Sequence, residues 1–357
     1  MIGERLQRAR KAAGVSLRVL ADQTDLSHTT IDKFEKEKLK PSSSQLIKMA
    51  KVLGVRTEYF FRSDVITIQT PEYRKKTTLA KKVLNQIEGD IFDQAERWHE
   101  LLNLYPKSPI KSFNLPANLL EFISTETQIE DLAVTIRHAW ELGLGCIPDV
   151  IDTLESQGIM VISSSIENDQ KFDGLASVVN TIPLIVVGGK WVGDRQRFTL
   201  AHELGHLLLK NRLDNKVFSK NDEEKLCDHF AGAFLLPKST LISHLGEHRQ
   251  NLEPRELYFL KHEFGLSMQG VLFRAKQTGI ISQTTFERIF KLFSIKGWRK
   301  CEPHAPYPTE NTLLFKQLIY RALAESYISE SKAAELLGLP VIKFHQQRTL
   351  DFDPVTH

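Results

Sequence analysis

The sequence predicts a multidomain protein with an all-α N-terminal domain, an α+β domain built on a small mixed sheet, and a helical C-terminal segment. Short helical patterns of apolar residues, separated by caps and glycines, fill the first 61 residues. Three short β-branched runs follow two further helical patterns, which predicts one sheet. Helical patterns return after residue 254. We divide the chain into segments 1–64, 65–124, 125–300 and 301–357.

Composition restricts the class of protein. The chain has 357 residues, of which 41% are hydrophobic and 25% charged, as is usual for a soluble globular protein. No apolar run approaches the roughly 20 residues that span a bilayer, and the N-terminus lacks the apolar core of a signal peptide. The three cysteines are odd in number and far apart, which fits a reducing compartment. We expect a cytoplasmic protein without a membrane segment.

The N-terminal segment carries the positive charge of the chain. Residues 1–64 hold 13 Lys and Arg against 8 Asp and Glu, whereas the remainder has a small negative balance. Ser16 and Ser27 can cap two short helices that a turn near residues 24–27 separates, which predicts a helix-turn-helix. The alternative is a small helical module that binds protein and exposes a solvated basic face.

This segment resembles the Cro/CI-type DNA-binding domain family. The resemblance implies a recognition helix that begins at Ser27, a double-stranded DNA operator and a homodimer on two half-sites. The family usually has Gly where this chain has Glu37, so we expect an altered loop within the same fold. The matching residues are Ser16-Leu17-x-x-Leu20-Ala21, Leu26-Ser27-x-x-Thr30-Ile31-x-x-Phe34-Glu35, Pro41-Ser42 and Ala50-x-x-Leu53-Gly54. The implied DNA-binding residues are Ser27, His28, Thr29, Thr30 and Lys33 at the major groove, and Lys36, Lys38 and Lys40 near phosphates.

A linker and a long helix are predicted next. Residues 65–77 have the composition of a linker. Apolar residues then recur every three or four positions from Leu79 to Leu102, which predicts one helix. This helix could dimerise, bridge two domains, or simply pack against the next domain.

The α+β domain begins with two predicted helices. Thr127 and Glu130 have the spacing of a capping box, and Pro148 suits the first turn of the second helix. The predicted strands are 159–162, 175–179 and 184–187. The last of these could be a sheet edge that pairs with an extended substrate.

One stretch after the last predicted strand carries the strongest chemical signal. His202, Glu203 and His206 form an H-E-x-x-H pattern. Residues four apart lie on one face of a helix, so both imidazoles can bind one metal ion, with Glu203 close enough to accept a proton from the attacking water. The alternative is a buried amphipathic helix whose histidines only form hydrogen bonds.

A catalytic zinc site needs a third protein ligand and an open fourth position. The next predicted helix offers Glu224, with Glu223 and His229 as the other candidates. Asp228 shares a helix face with Glu224, and it could accept the second ring N–H of a ligand histidine and so fix its tautomer. These acids could instead form a solvated N-terminal turn that only favours the helix dipole.

Residues 125–300 resemble the ImmA/IrrE family of zinc metallopeptidases, many of which carry a Cro/CI-type domain in front. The resemblance implies a zincin-like fold in which His202, His206 and Glu224 bind Zn²⁺ and Glu203 is the catalytic base. The matching residues are Trp140-x-Leu142-Gly143, Leu154-Glu155-x-x-Gly158-Ile159, Phe172-Asp173-Gly174, Arg195-x-Arg197-Phe198-Thr199-Leu200-Ala201-His202-Glu203-Leu204-Gly205-His206-Leu207-Leu208, and Glu224-x-x-Cys227-Asp228-x-Phe230-Ala231 with Leu235-Leu236-Pro237. The family more often has Ala and Asn at the positions of Cys227 and Asp228. Candidates for a second oxyanion donor are Tyr258, His229 and His262.

The C-terminal third contains a second pattern like a helix-turn-helix at residues 254–279, for which we favour a place in the core of the metallopeptidase domain. A Pro-rich linker is predicted at 301–308, and helices at 311–327 and 330–338 that could dimerise or dock.

Together these expectations describe a DNA-binding transcriptional regulator fused to a zinc-dependent endopeptidase. Its substrate would be a repressor-type protein, cleaved in trans or as part of the same chain, in stress, mobile-element or toxin–antitoxin control. The alternative is a repressor or antitoxin whose peptidase-like domain serves only sensing or protein interaction.

Overall fold

The structure, a computed structural model, describes residues 2–62, 66–69, 81–164, 172–214 and 216–349. The N-terminal helices are α1 (Ile2–Ala12), α2 (Leu17–Thr24), α3 (His28–Glu35), α4 (Ser43–Leu53) and a 3-10 helix (Thr57–Phe61), followed by α5 (Lys81–Leu104). The central elements are α6 (Thr127–Ala139), α7 (Val150–Ser156), β1 (Met160–Ser164), β2 (Gly174–Val179), β3 (Ile182–Gly188), α8 (Gly193–Leu209) and α9 (Lys220–Leu235). The chain continues through α10 (Lys238–Leu245), α11 (Pro254–Phe264), α12 (Met268–Gln277), α13 (Gln283–Ile295), α14 (Leu314–Ala324), α15 (Glu330–Leu336) and α16 (Val341–Arg348). Among the described helices, none combines the length and the apolar character that crossing a bilayer requires.

The predicted helix-turn-helix domain is confirmed, with an apolar core of its own. Ser16 accepts a hydrogen bond from the Val19 N–H at 3.2 Å, and Ser27 accepts one from the Thr30 N–H at 3.0 Å, so both predicted caps are present. Glu37 has a φ of 55°, the left-handed conformation that a glycine adopts most easily. Fully buried core residues include Leu6, Leu20, Ile31, Phe34, Met49 and Phe60.

The predicted small mixed sheet is also confirmed, in the order β1-β3-β2. β3 pairs in parallel with β1 and antiparallel with β2. The expectation that residues 184–187 form a sheet edge is wrong, because β3 has a strand on each side. Part of the predicted linker contacts β2 instead: Ile68 forms a bridge with Val179, and the Asn180 N–H donates to the Thr67 carbonyl at 2.9 Å. Residues 70–77 and the predicted helix start at Leu79 lie outside the described residues.

Two apolar cores lie on opposite faces of the sheet, as the alternation of side chains along a strand requires. Val161, Ile185 and Val187 belong to a core that helices α6 to α13 complete. Met160 and Val186 point into the other core, which α5 and α14 to α16 complete. The C-terminal helices and α5 therefore cover the second face of the sheet.

The long helix α5 joins the two domains. Ile87 and Ile91 are buried in the second core, while Glu96 accepts hydrogen bonds from Arg5 at 2.9 Å and Arg8 at 3.1 Å on α1. Gly89 has no room for a side chain, since a Cβ there would lie 2.1 Å from the Cβ of Ala12. Of the predicted alternatives for this helix, the structure supports bridging, because α5 contacts both α1 and the second core.

Three local expectations are wrong. Thr127 and Glu130 form no capping box, because Thr127 already lies inside the helix and Glu130 binds the distant residues His229 and Arg274. α7 begins at Val150, and its cap is Asp149, which accepts from the Asp152 N–H at 2.7 Å. The predicted helix at 311–327 is shorter, and α16 after Pro340 was not predicted.

The helix pair α11 and α12 lies in the first core and not on a free surface. Leu257, Phe264 and Val271 are at most 1% exposed. Pro254 begins α11, as predicted, and Gly265 ends it with a positive φ. This second helix-turn-helix pattern thus closes the core of the α+β domain.

Candidate metal centre and DNA interface

Helices α8 and α9 bring three potential metal ligands together. His202 Nε2 lies 3.2 Å from His206 Nε2. The Glu224 carboxylate lies 3.5 Å from His202 Nε2 and 3.6 Å from His206 Nε2. Within the described residues this is the group of His, Cys, Asp and Glu that could hold one ion.

The spacing of these three atoms fits a tetrahedral zinc ion. With metal–ligand bonds of 2.0–2.2 Å and tetrahedral angles, two ligand atoms are about 3.3–3.6 Å apart. The three observed separations are 3.2, 3.5 and 3.6 Å. Two imidazole nitrogens and one carboxylate oxygen leave a fourth position free for a water molecule or substrate.

Each histidine is held from its other ring nitrogen by a carboxylate. Asp228 Oδ1 lies 2.8 Å from His202 Nδ1, and Glu223 Oε1 lies 3.1 Å from His206 Nδ1. Such contacts fix the tautomer that leaves Nε2 available to a metal. The sequence offered Glu223 as a candidate for the third ligand. In the structure Glu223 contacts the Nδ1 of His206 instead, a role that the sequence did not predict.

The electrostatics around His202 favour bound cations. Burial lowers the pKa of His202, but hydrogen bonds to Asp228 and Glu224 outweigh burial and raise it to about 10. Because a metal binds the neutral imidazole, metal and proton compete for this nitrogen.

Glu203 is a buried carboxyl group beside the first residue of β2. Its side chain follows His202 on α8, and a Cβ at Gly174 would lie 3.2 Å from the Glu203 Cγ. Burial raises the pKa of Glu203, the charges of His202 and His206 lower it, and nearby carboxylates raise it further. A carboxylate with a raised pKa is suited to accept and return a proton.

Close packing of α8 on α9 sets the distance between the ligands. At Gly205 a Cβ would lie 3.3 Å from the Cα of Cys227, which is itself fully buried. Burial also raises the pKa of the Cys227 thiol, so this residue packs as a small apolar group.

The remaining candidates from the sequence lie elsewhere. His229 Nε2 contacts Glu130 at 2.7 Å in a buried group with Arg274, and is not among the three ligand residues. Tyr258 and His262 contact each other on α11, with ring centroids 4.5 Å apart and the ring planes tilted by 58°. The second oxyanion donor therefore stays unassigned.

The residues predicted to contact DNA lie at the start of α3, along α3 and in the segment that follows it. Ser27 begins α3, and its hydroxyl also contacts the Thr29 and Thr30 hydroxyls at 2.8 Å. Lys36 pairs with Asp32 on the same helix at 2.8 Å. All but the half-buried Thr30 are exposed: Ser27, His28, Thr29, Lys33, Lys36, Lys38 and Lys40. These side chains are accessible to a ligand that approaches α3.

Comparisons with known proteins agree with both halves of this description. Residues 6–60 match a helix-turn-helix family model, and residues 154–276 match the family model of the IrrE N-terminal-like domain, a peptidase family. The chain thus combines a helix-turn-helix DNA-binding domain with a metallopeptidase-like domain. It is similar to the HTH-type transcriptional regulator ImmR of Bacillus subtilis (strain 168), with 23% identity over 93 residues that cover 26% of this chain and 69% of that protein.

Proposed function

We propose that this protein is a transcriptional regulator with a zinc-dependent endopeptidase that cleaves a repressor-type protein, either a separate chain or another copy of itself. The observation that carries the proposal is the spacing of the ligand atoms of His202, His206 and Glu224, which fits one tetrahedral metal ion. The similarity to a transcriptional regulator supports the DNA-binding half.

In this proposal each residue has a defined task. His202, His206 and Glu224 hold Zn²⁺, while Asp228 and Glu223 keep the two imidazoles in the ligating tautomer. Bound zinc supplies Lewis-acid chemistry, since it polarises a carbonyl oxygen and acidifies water. Glu203 accepts the proton of the attacking water and transfers it to the leaving amine.

An extended substrate would pair with β2 and not with β3. β2 is an edge strand, and its first residue, Gly174, lies against Glu203. Backbone pairing there would place a scissile carbonyl near the proposed base. Residues 66–69 contact the opposite end of this strand, at Val178–Asn180, and not the end at Gly174 where the substrate would pair.

The peptidase proposal is tested by metal content and by cleavage. Purified protein is expected to hold one zinc per chain, and His202→Ala to hold none, whereas the control His248→Ala, on an exposed loop, keeps it. Co-expression with the products of neighbouring genes should give a protein fragment that disappears with Glu203→Gln. Cleavage at full rate by a zinc-loaded Glu203→Gln protein would reject this mechanism. Stoichiometric zinc without any fragment would favour a sensing or interaction domain.

The DNA-binding proposal is tested by salt dependence. Duplexes selected from a random library should bind with an affinity that falls steeply with salt, because lysines displace counterions from phosphates. Lys38→Ala should lower the slope of log K against log salt by about 1. The control is Lys291→Ala on the distant helix α13, which should leave the slope unchanged. A weak salt dependence in the wild type would favour the protein-binding alternative. Sedimentation of the complex would test the predicted homodimer.

A further inference from the structure

The segment 302–310, which includes most of the linker predicted at 301–308, is a strap that lies across the N-terminal end of the proposed metal-binding helix α8. It connects α13 to α14 and contacts the first turns of α7, α8 and α12. Two of its glutamates are largely buried, with side-chain exposures of 9% for Glu302 and 7% for Glu310. Buried carboxylates need partners, and each of these has several.

Glu302 ties the strap to α12 and α11. Its carboxylate accepts from the Met268 and Gln269 N–H groups, both at 3.1 Å, and so caps α12. It also pairs at 2.8 Å with Lys261, which pairs at 2.7 Å with Asp194 in the first turn of α8. Lys261 and Asp194 are each 4% exposed.

Glu310 ties the strap to α7 and α8. Its carboxylate accepts from the Val150 N–H at 2.9 Å and the Ile151 N–H at 3.0 Å, and it forms an ion pair with Arg197. Its backbone exchanges two hydrogen bonds with the Gln196 side chain, at 2.8 and 3.0 Å. Arg197 is fully buried and also donates to the Ile147 carbonyl at 2.6 Å.

The strap provides the hydrogen-bond acceptor at the N-terminus of α8 that the residue before the helix does not provide. The residue before this helix, Val192, provides no side-chain cap. Instead the Gly193 N–H donates to the Tyr307 carbonyl at 3.0 Å, and a Cβ at Gly193 would lie 1.8 Å from the Pro308 oxygen. The strap therefore needs glycine at this position to pack so closely.

We propose that Glu310 is a positioning residue of the metal centre, acting through Arg197. Arg197 lies five residues before His202, which places the two side chains on different sides of α8. An anchor on one side of a helix limits its rotation about its own axis. A rotation of about 10° would move a ring nitrogen about 6 Å from that axis by about 1 Å, enough to spoil the ligand geometry. The proposal rests on the zinc site described above.

The charge of Glu310 matters as well as its shape. Burial raises the pKa of Glu310, and the charge of Arg197 lowers it. Without Glu310, Arg197 is a fully buried cation whose remaining partners in the described part of the chain are backbone carbonyls and the Tyr307 ring, and none of them carries a negative charge. A cation in that position moves toward solvent or distorts its helix.

The test uses the full-length protein, with Glu310→Ala, the conservative Glu310→Gln, and Gln196→Ala. Zinc affinity is measured by competition with a chromophoric chelator, and ligand geometry by the visible spectrum of the Co²⁺-substituted protein. We expect Glu310→Ala to weaken zinc binding at least 10-fold and to change the Co²⁺ spectrum. Glu310→Gln, which keeps the shape but leaves Arg197 without its counter-charge, should restore only part of the affinity, and Gln196→Ala, which keeps every charge, should weaken it two- to five-fold. Glu325→Gln, an exposed carboxylate on the next helix, is the matched control and should change neither.

Hydrogen exchange of the metal-free protein separates this proposal from the zinc site itself. Amides of residues 198–206 should exchange faster in Glu310→Ala, and in Gln196→Ala, than in the control, whether or not zinc binds. Wild-type affinity and exchange in a folded Glu310→Ala protein would overturn the proposal. If Glu310→Ala does not fold, wild-type values for Gln196→Ala would overturn it equally. A wild-type protein that binds no zinc would refute the proposed function, while the exchange result would still decide the role of the strap.

Discussion

The contacts that stabilise the DNA-binding domain join residues close together in the sequence, whereas those that stabilise the metal centre join residues far apart in the sequence. In the first domain, Ser16 and Ser27 cap their helices three residues away, and Arg10 reaches Glu35 across 25 residues. Around the metal centre, the anchoring pairs span far more of the chain. Arg197 pairs with Glu310 at a separation of 113 residues.

The two regions therefore position their functional side chains in different ways. The recognition helix α3 has its caps and core nearby, so its shape depends on local sequence. The ligands on α8 and α9 depend on residues that only folding brings near, including the buried group of Glu130, His229 and Arg274. We therefore expect substitutions in the second region to act at a distance, and those in the first to act locally.

The largest effect is expected from Arg274→Ala. Arg274 is 2% exposed and pairs with Glu130 across 144 residues, and it also donates to the Leu236 carbonyl at the end of α9. Removal leaves a partly buried carboxylate and an unpaired carbonyl, which should lower the free energy of unfolding by about 3–5 kcal/mol in urea titrations.

The control for this prediction is Lys291→Ala, which removes an exposed cation from α13. The pKa of Glu130 provides a second measurement. Although burial raises this pKa, hydrogen bonds to His229 and Arg274 lower it to about 2, below the usual value of 4.5. The associated stability is present above pH 4.5 and is lost as the pH falls toward 2, and this acid dependence should shrink in Arg274→Ala. An unfolding free energy within about 0.5 kcal/mol of wild type would show that the pair is not an anchor.

The sequence predicted most of what is local. Period, caps and glycines located the helices of the first domain, since each signal lies within a few residues of its effect. Three strands followed from β-branched runs, but their order did not. β3 is central because of how β1 and β2 return to it, and no single run contains that information.

Long-range partners were the part that the sequence could not supply. Glu130 has the spacing of a capping residue, yet its carboxylate is used by His229 and Arg274. The two candidate ligand histidines could be predicted because helical spacing puts them on one face of α8. Which of Glu223 and Glu224 completes the candidate group depends on how α9 crosses α8. The Pro-rich composition of residues 301–308 predicted a linker, and nothing in it indicated that Glu302 and the nearby Glu310 are buried.

A pH-dependent effect is expected from Glu155→Gln. Glu155 is 5% exposed, and burial raises its pKa to about 8, with Asp149 and Asp152 adding to the increase. Because the folded-state pKa is above the unfolded value of about 4.5, the contribution of Glu155 to stability is most favourable below pH 4.5 and is lost as the pH rises through 8. Glu155→Gln removes that loss, so thermal melts at pH 9 should show a gain of about 2–4 kcal/mol, with little change at pH 4.5.

Glu121→Gln, at an exposed position, is the control for charge alone and should have a flat difference across this range. An equal gain at pH 4.5 and pH 9 would contradict the titration of Glu155 as the cause. A confirmed gain would show that burial of Glu155 by distant parts of the chain destabilises α7 at high pH, an effect that the local sequence does not indicate.

A moderate effect is expected at the carboxylates behind the ligand histidines. Glu223→Gln and Asp228→Asn should each weaken zinc affinity about 10-fold, because neither amide stabilises the ligating imidazole as a carboxylate does. Asp222→Asn removes an equal charge from the same end of α9, where Asp222 binds Ser219 and Lys225, and should change the affinity less than two-fold. Equal losses in all three variants would show that only net charge matters.

The smallest effect is expected in the first domain, from Glu37→Gly. Glu37 has a φ of 55°, which costs a residue with a Cβ about 1 kcal/mol relative to glycine. Hydrogen exchange of the full-length protein should show amides of α3 and α4 more protected by about 0.5–1 kcal/mol, with α8 unchanged. Glu37→Ala keeps the Cβ and the strain while removing the same charge, so it should not gain. If Ala and Gly protect equally, the carboxylate and not the backbone is responsible. If α8 also responds, the first domain is coupled through α5 to the metal centre, and the contrast between local and distant anchoring does not hold.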